Sequence, residues 1–93
     1  MSLRLYKTVA TGSPVTVTAA DGVVPAQRAR HQVEVDGTGT VTVAVDAGCG
    51  LRDYTVIDCA DTERVPYTLE MEAFQIRFTA SATATIAYCA EVA

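Results

Sequence analysis

The chain has little of the chemistry from which most active sites and recognition surfaces are built. It contains no Trp, only six aromatic residues in 93, and a single histidine, His31. Surfaces that stack sugars or nucleic-acid bases need several aromatic side chains, so they are hard to assemble here. The seven Lys and Arg residues form no run that follows a phosphate backbone, and the net charge is -4. We therefore expect no nucleic-acid partner.

Long apolar runs are also missing. No stretch approaches the ~20 apolar residues that a membrane-spanning helix needs. The first residues, Met1 to Lys7, lack the apolar core of a secretion signal. We expect no membrane partner, no export by that route, and a cytoplasmic location.

Cysteine is scarce and odd in number, with Cys49, Cys59 and Cys89 as the only three. Small secreted folds more often carry an even set that pairs as disulfides. The odd count favours free thiols in a reducing compartment. A single Cys59–Cys89 disulfide is the alternative.

Residues that suit β-strands dominate what is present. Val, Ile and Thr supply 29 of the 93 residues, and branching at Cβ disfavours helix and suits a pleated sheet. Apolar and polar residues alternate with period two, which predicts strands with one buried face. No segment has a helical period. We predict strands over residues 3–9, 15–19, 27–36, 40–46, 51–59, 67–71, 74–80 and 83–92, with a short edge segment at 23–25.

Turn signals at roughly ten-residue spacing predict one all-β domain over residues 1–93. Its expected fold is a single antiparallel β-sandwich of seven or eight strands, with a jelly roll as one form of it. Asp36-Gly37 between two alternating runs predicts a type I′ hairpin that pairs the third and fourth strands. The faces of strand 51–59 cannot be assigned from its pattern. The predicted core residues are Leu5, Val15, Val17, Val33, Val35, Val41, Val43, Val45, Ile57, Phe74, Ile76, Phe78, Ile86 and Tyr88.

No set of residues in the sequence predicts catalysis or a cofactor. His31 shares a strand face with Val33 and Val35 and has no Cys or His at the spacing of metal ligands, which predicts a packed histidine. Nothing local lowers the pKa of a thiol to make a Cys–His nucleophile pair. We expect no catalytic residues, no metal and no cofactor.

Charged residues of opposite sign suggest a contact between copies of the chain. Arg28 and Arg30 share one strand face, whereas Asp61 and Glu63 lie in an acidic connection. These four residues are the candidate interface. The alternative for the acidic residues is a solvated loop.

Two segments resemble small structural proteins of tailed bacteriophages and prophages. Those proteins often have a V-x-G-x-G-x-V-x-V stretch and end with an aromatic-x-I-R-x-x-x-[ST] strand, a tight turn and a Thr/Ala/Tyr strand. The matching residues here are Val35, Gly37, Gly39, Val41, Val43, Phe74, Ile76, Arg77, Thr79, Ser81, Thr85 and Tyr88. The Trp usual in the middle strand is absent, and Tyr54 has a comparable position. The resemblance covers about half of the chain.

The resemblance implies a non-enzymatic virion protein, such as a head decoration, connector or tail component. Such a protein would lie in the bacterial cytoplasm during assembly and then in the virion. It would act through symmetric contacts with itself, with a trimer favoured, and with other virion proteins. The alternative is an Ig-like or carbohydrate-binding module. That role needs an exposed aromatic platform, for which Tyr6, Tyr54, Tyr67 and Tyr88 are the only tyrosine candidates.

Overall fold

The alternating segments form eight β-strands. The computed structural model describes residues 2–20, 24, 27–59 and 67–92, and of residues 2–7 only the backbone. Within these ranges there is no helix. The strands are β1 (Ser2–Val9), β2 (Val15–Thr18), β3 (Arg28–Asp36), β4 (Thr40–Asp46), β5 (Arg52–Asp58), β6 (Tyr67–Glu72), β7 (Gln75–Ala80) and β8 (Ala84–Val92).

The strands form two four-stranded antiparallel sheets, with orders β1-β8-β3-β6 and β2-β7-β4-β5. The pairs are nested: β1 pairs with β8, β2 with β7, β3 with β6, and β4 with β5. The β4–β5 connection is the centre of this nest, and the chain on either side wraps back across both sheets. This wrapping is the topology of a jelly roll. The predicted β-sandwich of seven or eight strands is confirmed, with eight strands in the jelly-roll form.

The predicted hairpin at Asp36-Gly37 is wrong. β3 and β4 belong to different sheets, so the connection between them crosses the sandwich. Neither Gly37 nor Gly39 has a positive φ. Their small size matters for another reason: a Cβ on Gly37 would lie 3.1 Å from the Cβ of Ala84, and one on Gly39 would overlap Ser81 Oγ. These glycines let two inter-sheet connections pack closely.

The hairpin lies one connection later, between β4 and β5. Its loop is built on Asp46, whose Oδ1 accepts hydrogen bonds from the amides of Gly48 at 2.8 Å and Gly50 at 3.1 Å. Both glycines have positive φ, 125° and 88°, which favours glycine over residues with a side chain. The β4–β5 loop therefore has the positive φ angles that the sequence pattern predicted at Asp36-Gly37, but at two glycines separated by Cys49 and not at two consecutive residues.

The core lies between the sheets and is dominated by small and β-branched side chains. Of the predicted core residues, Val17, Val33, Val35, Val41, Val43, Val45, Ile57, Ile76, Phe78, Ile86 and Tyr88 are buried, and Val15 packs against them half-buried. The side chain of Leu5 lies outside the description. Of the predicted edge segment at 23–25, only Val24 is described, and it is buried.

Phe74 is the exception among the predicted core residues, because 39% of it is exposed. It lies in a bend before β7, where its amide donates to the Asp46 carbonyl at 2.8 Å and its carbonyl accepts from the amide of Ala19 at 2.9 Å. These bonds fix the backbone outside the alternation of β7. Ala73, its neighbour, is buried instead.

Candidate functional site

The single histidine lies in the sandwich interior, on β3, and is fully buried. Its Nε2 lies 3.0 Å from the carbonyl oxygen of Met71 on β6, and its Nδ1 lies 2.7 Å from the hydroxyl of Tyr88 on β8. A carbonyl only accepts, so Nε2 carries the proton and Nδ1 accepts from the Tyr88 hydroxyl. His31 thus joins the three strands from inside the sheet.

This arrangement leaves His31 no nitrogen for a metal or a substrate. Burial lowers the pKa of His31 from 6.5, although the hydrogen bond to Met71 acts in the opposite direction. Burial also raises the pKa of Tyr88, so its hydroxyl stays protonated. The two rings stack with centroids 5.9 Å apart. His31 and Tyr88 form a neutral polar pair that stabilises the core.

The candidate interface residues Arg28 and Arg30 lie on the outer face of β3. In the register, Arg28 is opposite Glu72 of β6, and Arg30 is between Glu70 of β6 and Glu91 of β8. The Arg30 guanidinium lies 3.6 Å from the Glu91 carboxylate, with both side chains at least half exposed. Such an exposed pair contributes at most about 1 kcal/mol to stability. The acidic counterpart of this face is therefore already present within the same sheet.

A shallow groove of about 220 Å³ lies among these charges, lined by Arg28, Arg30, Glu70 and Glu91. The other two predicted interface residues, Asp61 and Glu63, lie outside the described residues. Their contact with the arginine face thus stays a prediction.

All three cysteines are thiols, and they lie in three different environments. Cys49 is exposed in the β4–β5 loop. Cys59 is buried in the core, and burial raises its pKa. Cys89 lies on the outer face of β8, with its Sγ 3.6 Å from Gln32 Oε1. The Cys59–Cys89 disulfide, the minority interpretation of the sequence, does not form.

Asp46 holds the β4–β5 loop against the sheet. Besides the amides of Gly48 and Gly50, it accepts a hydrogen bond from Gln75 Nε2 at 3.0 Å through Oδ2. The Gln75 bond, and after it the loop amides, lower the pKa of the Asp46 carboxyl. Both of its oxygens accept from the protein's own donors, which indicates that Asp46 organises the loop.

Two apolar side chains on β5 form an exposed surface, of which only Tyr54 was a candidate from the sequence. Tyr54 is 56% exposed and Val56 is 59% exposed. β5 lies at the edge of its sheet and pairs with β4 on one side. We call Tyr54 and Val56 the β5 edge patch.

A β-bulge explains why the faces of this strand could not be assigned. Val43 pairs with Thr55 and Ala44 with Asp53, so Tyr54 is the additional residue. Beyond the bulge Ile57 points into the core and Val56 points outward. The one available signal was the break in alternation at Tyr54, Val56 and Ile57. Bulges are frequent beside functional surfaces and at sheet edges.

A groove of about 320 Å³ begins beside the β5 edge patch. Its lining includes Tyr54, Arg52, Asp53, Cys49 and Met71. Asp53 is held from the other side by Arg77 of β7, 3.8 Å away. The groove is open and carries both charge signs.

Of the four tyrosines, Tyr54 alone is an exposed aromatic among those whose side chains are described. Tyr88 is buried, and Tyr67 is half-buried with its hydroxyl donating to Thr55 Oγ1 at 3.2 Å. The side chain of Tyr6 lies outside the description. In the described ranges, His, Cys, Asp and Glu side chains form no group of three suited to a metal ion. The same ranges contain no helix that is long and apolar enough to cross a bilayer.

Comparison with known proteins identifies the class of fold. No family model matches the chain, and no curated protein matches it. RmlC from Streptococcus suis, solved in complex with dTDP-D-xylose, has a TM-score of 0.60 and 13% identity over 99% of this chain. The chain spans only 44% of that RmlC chain. The mitogen YPM from Yersinia pseudotuberculosis has a TM-score of 0.54 and 13% identity, covering 100% of this chain and 86% of the mitogen.

These similarities concern the fold, because 13% identity carries no residue roles from one protein to another. With the topology above, they define the chain as a β-sandwich module.

Proposed function

We propose that this chain is a non-enzymatic structural protein of a tailed phage or prophage particle, which acts through symmetric contacts between its copies and with other virion proteins. The observation that carries the proposal is the β5 edge patch. An edge strand has backbone groups that a further strand can pair with, and proteins usually protect such edges with charge. β5 also exposes the charged residues Arg52, Asp53 and Asp58, but its central outward positions are Tyr54 and Val56.

A contrast with β6, one of the two edge strands of the other sheet, supports a protein–protein contact. The exposed residues of β6 are Thr68, Glu70 and Glu72, none of them apolar. Burial of apolar surface contributes about 25 cal/mol per Å² removed from water, so an exposed tyrosine and valine side by side favour association. The fold also fits the resemblance, since jelly rolls occur in viral capsid domains as well as in lectins and cupins.

The described side chains supply support for a role without catalysis. Both nitrogens of His31 are engaged in the core, and the Cys59 thiol is buried. Asp46 is engaged by its own loop. A hydrolytic or transfer site needs a nucleophile and a base within hydrogen-bonding reach in one cleft. The engaged nitrogens of His31, the buried Cys59 thiol and the loop-bound Asp46 carboxylate support a role without such a site.

Light scattering of the wild-type protein across a range of concentrations, with reductant present, tests the proposal. We expect the measured mass to be a whole-number multiple of the chain mass and to persist on dilution. Electron microscopy should then show particles of one symmetry. A single-chain mass at every concentration would remove the basis of the assembly role.

The second candidate is a carbohydrate-binding module, favoured by one observation. Tyr54 is an exposed aromatic ring beside a groove with Arg52 and Asp53, and sugars are bound by such rings together with charged hydrogen-bonding groups. A glycan array probed with wild-type protein and with Tyr54→Ala distinguishes the two roles. Binding at micromolar strength that is lost in Tyr54→Ala favours the module, and an array without binding favours the assembly protein.

A further inference from the structure

We propose that the groove beside Tyr54 binds a small carboxylate that has an apolar, planar body. The carboxylate pairs with the Arg52 guanidinium, and the planar body lies against the Tyr54 ring and the apolar lining between the two sheets. This inference goes beyond the proposed assembly function and does not depend on it, because the groove is formed within one copy of the chain.

The groove lies where edge strands of the two sheets approach each other. β5 is at the edge of one sheet and β6 at the edge of the other. The two edges are joined by the Tyr67 hydroxyl of β6, which donates to Thr55 Oγ1 of β5 at 3.2 Å. Met71 of β6 and Val45 of β4 both line the groove, and both are in contact with the core. The groove, of about 320 Å³, therefore has apolar lining from both sheets.

The β-bulge at Tyr54 determines which charged side chain this groove receives. Asp53 pairs with Ala44, and Arg52 pairs with Val45. Directly opposed residues of two paired strands lie on the same face of a sheet. Val45 is buried in the core, and Ala44, one residue earlier, is on the opposite face. Arg52 is therefore on the inner side of the sheet, at its edge, whereas Asp53 is on the outer side.

This separation leaves the Arg52 guanidinium available to a ligand. On the outer side, Asp53 lies 3.8 Å from Arg77 of β7. Both oxygens of Asp46 accept hydrogen bonds from the β4–β5 loop and from Gln75. In the described part of the chain, no carboxylate lies within ion-pair distance of Arg52. The planar fork of an arginine binds a carboxylate through two parallel hydrogen bonds.

The groove on the outer face of β3 differs in this respect. Its two arginines lie opposite Glu72, Glu70 and Glu91 in the register, and Arg30 is paired with Glu91 at 3.6 Å. A carboxylate that entered there would be repelled by the neighbouring glutamates. Of the described residues that line it, none is aromatic. The groove at Arg52 is therefore the better site for an anion with a planar body.

The remaining lining selects the apolar body. Tyr54 is 56% exposed and offers a flat ring on which another planar group stacks. Val45, Ala47 and Met71 add aliphatic surface. A sugar needs hydrogen-bonding partners for several hydroxyl groups, and the two carboxylates near the groove are already engaged. The lining therefore favours an aryl carboxylate over the saccharide of the second candidate function.

The loop side of the groove is fixed before a ligand binds. It is formed by Ala47, Cys49 and Gly50 of the β4–β5 loop. The amides of Gly48 and Gly50 donate to Asp46 Oδ1 at 2.8 and 3.1 Å. A loop that is already held by its own hydrogen bonds loses little further freedom on binding, which reduces the entropic cost of complex formation.

An amide NMR titration of the wild type with 3-phenylpropionate tests the proposal. We expect saturable shifts in residues 45–54 and at the Met71 methyl group, with a dissociation constant in the millimolar range. Two matched compounds separate the parts of the ligand, since 3-phenylpropionamide lacks the charge and acetate lacks the planar body. Each should bind at least about tenfold more weakly. Glucuronate that bound as tightly as 3-phenylpropionate would overturn the assignment of an apolar body.

Substitutions test the two side chains that hold the ligand. Arg52→Gln should weaken binding of 3-phenylpropionate by at least about tenfold, and Arg28→Gln, at an exposed arginine of the other sheet, should leave it unchanged. Tyr54→Ala should also weaken binding. Its matched control is Val56→Ala, because Val56 is exposed on the same strand but lies outside the described lining of the groove. Circular dichroism verifies that each variant is folded.

The proposal fails if Arg52→Gln binds 3-phenylpropionate as the wild type does, or if the shifts do not saturate. Light scattering of the same samples reports association separately. A monomer that binds 3-phenylpropionate refutes the assembly role and supports the groove. An oligomer that shows no saturable shifts supports the assembly role and refutes the groove.

Discussion

The hydroxyl of Tyr88 donates a hydrogen bond of 2.7 Å to Nδ1 of His31, from one central strand of a sheet to the next. Val33 is the register partner of Tyr88, so the bond runs diagonally across the inner face to a residue two positions away. His31 in turn holds the carbonyl of Met71 on the edge strand β6. A chain of polar contacts inside an apolar core therefore links β8, β3 and β6.

Replacing Tyr88 with Phe should destabilise the fold while keeping the ring in place. The change leaves Nδ1 of His31 buried without a donor, which costs about 1–3 kcal/mol in free energy of unfolding. Urea denaturation measures this loss. Tyr67→Phe is the matched control, because its hydroxyl bonds Thr55 at 3.2 Å in a half-buried position and its loss should cost less. Equal stability of Tyr88→Phe and wild type would contradict the assigned proton positions.

Stability should fall as the pH is lowered through about 6.5. The folded state lowers the pKa of His31 below 6.5, so the unfolded chain binds a proton that the folded chain does not. The free energy of unfolding then decreases, by at most about 1.4 kcal/mol per pH unit for one group, until the folded pKa is reached. Above this window His31 contributes no pH dependence.

A comparison of the wild type with His31→Gln isolates this effect, because all other titratable groups are the same in the two proteins. Asp46 contributes in a lower range of pH. Its pKa is lowered in the folded state, so the stability that it contributes is lost as the pH falls through that folded-state pKa. That loss is common to the two proteins. The difference between their urea midpoints should change between about pH 5 and 7. A constant difference would show that folding does not lower the pKa of His31.

Gly39→Ala should destabilise the sandwich by about 1–3 kcal/mol, as expected for overpacking. The new Cβ would overlap Ser81 Oγ, and that oxygen also accepts the amide of Thr40 at 2.8 Å. Combining Gly39→Ala with Ser81→Ala removes the overlapping atom. The double variant should lose less stability than the sum of the two single variants. Additive losses would show that the two inter-sheet connections do not pack as described.

The three thiols should react with Ellman's reagent at separate rates. Cys49 is exposed and should react at once, Cys89 is half-buried and should react slowly, and Cys59 should react only on unfolding. Cys49→Ala should remove the fast phase alone. Three thiols of equal rate in native protein would contradict the packing of Cys59.

Local patterning predicted the strands well, because alternation reports which side of a strand is buried. The bounds of 40–46 match β4, and the other strands differ by one or two residues at their ends. Pairing is not local, so the sequence could not show that β3 and β4 lie in different sheets. Asp36-Gly37 has the composition of a tight hairpin, but the close approach of Ala84 and Ser81, over 40 residues away, is what requires the glycines.

The candidate site was predicted less well, for a related reason. Arg28 and Arg30 were predicted to contact acidic residues of another copy, but they have acidic neighbours in their own sheet, Glu72, Glu70 and Glu91, which come from distant segments. The β5 edge patch depends on a bulge and on the position of β5 at the edge. Neither feature has a strong signature in one sequence.

Amide hydrogen exchange at low and high protein concentration tests the central claim, that copies associate through β5. We expect exchange in residues 52–58 to slow as concentration rises, at those amides that do not bond β4, while exchange in β6, an edge strand of the other sheet, stays constant. Exchange rates that are independent of concentration throughout the chain, or protection that appears at β6 in place of β5, would contradict the account.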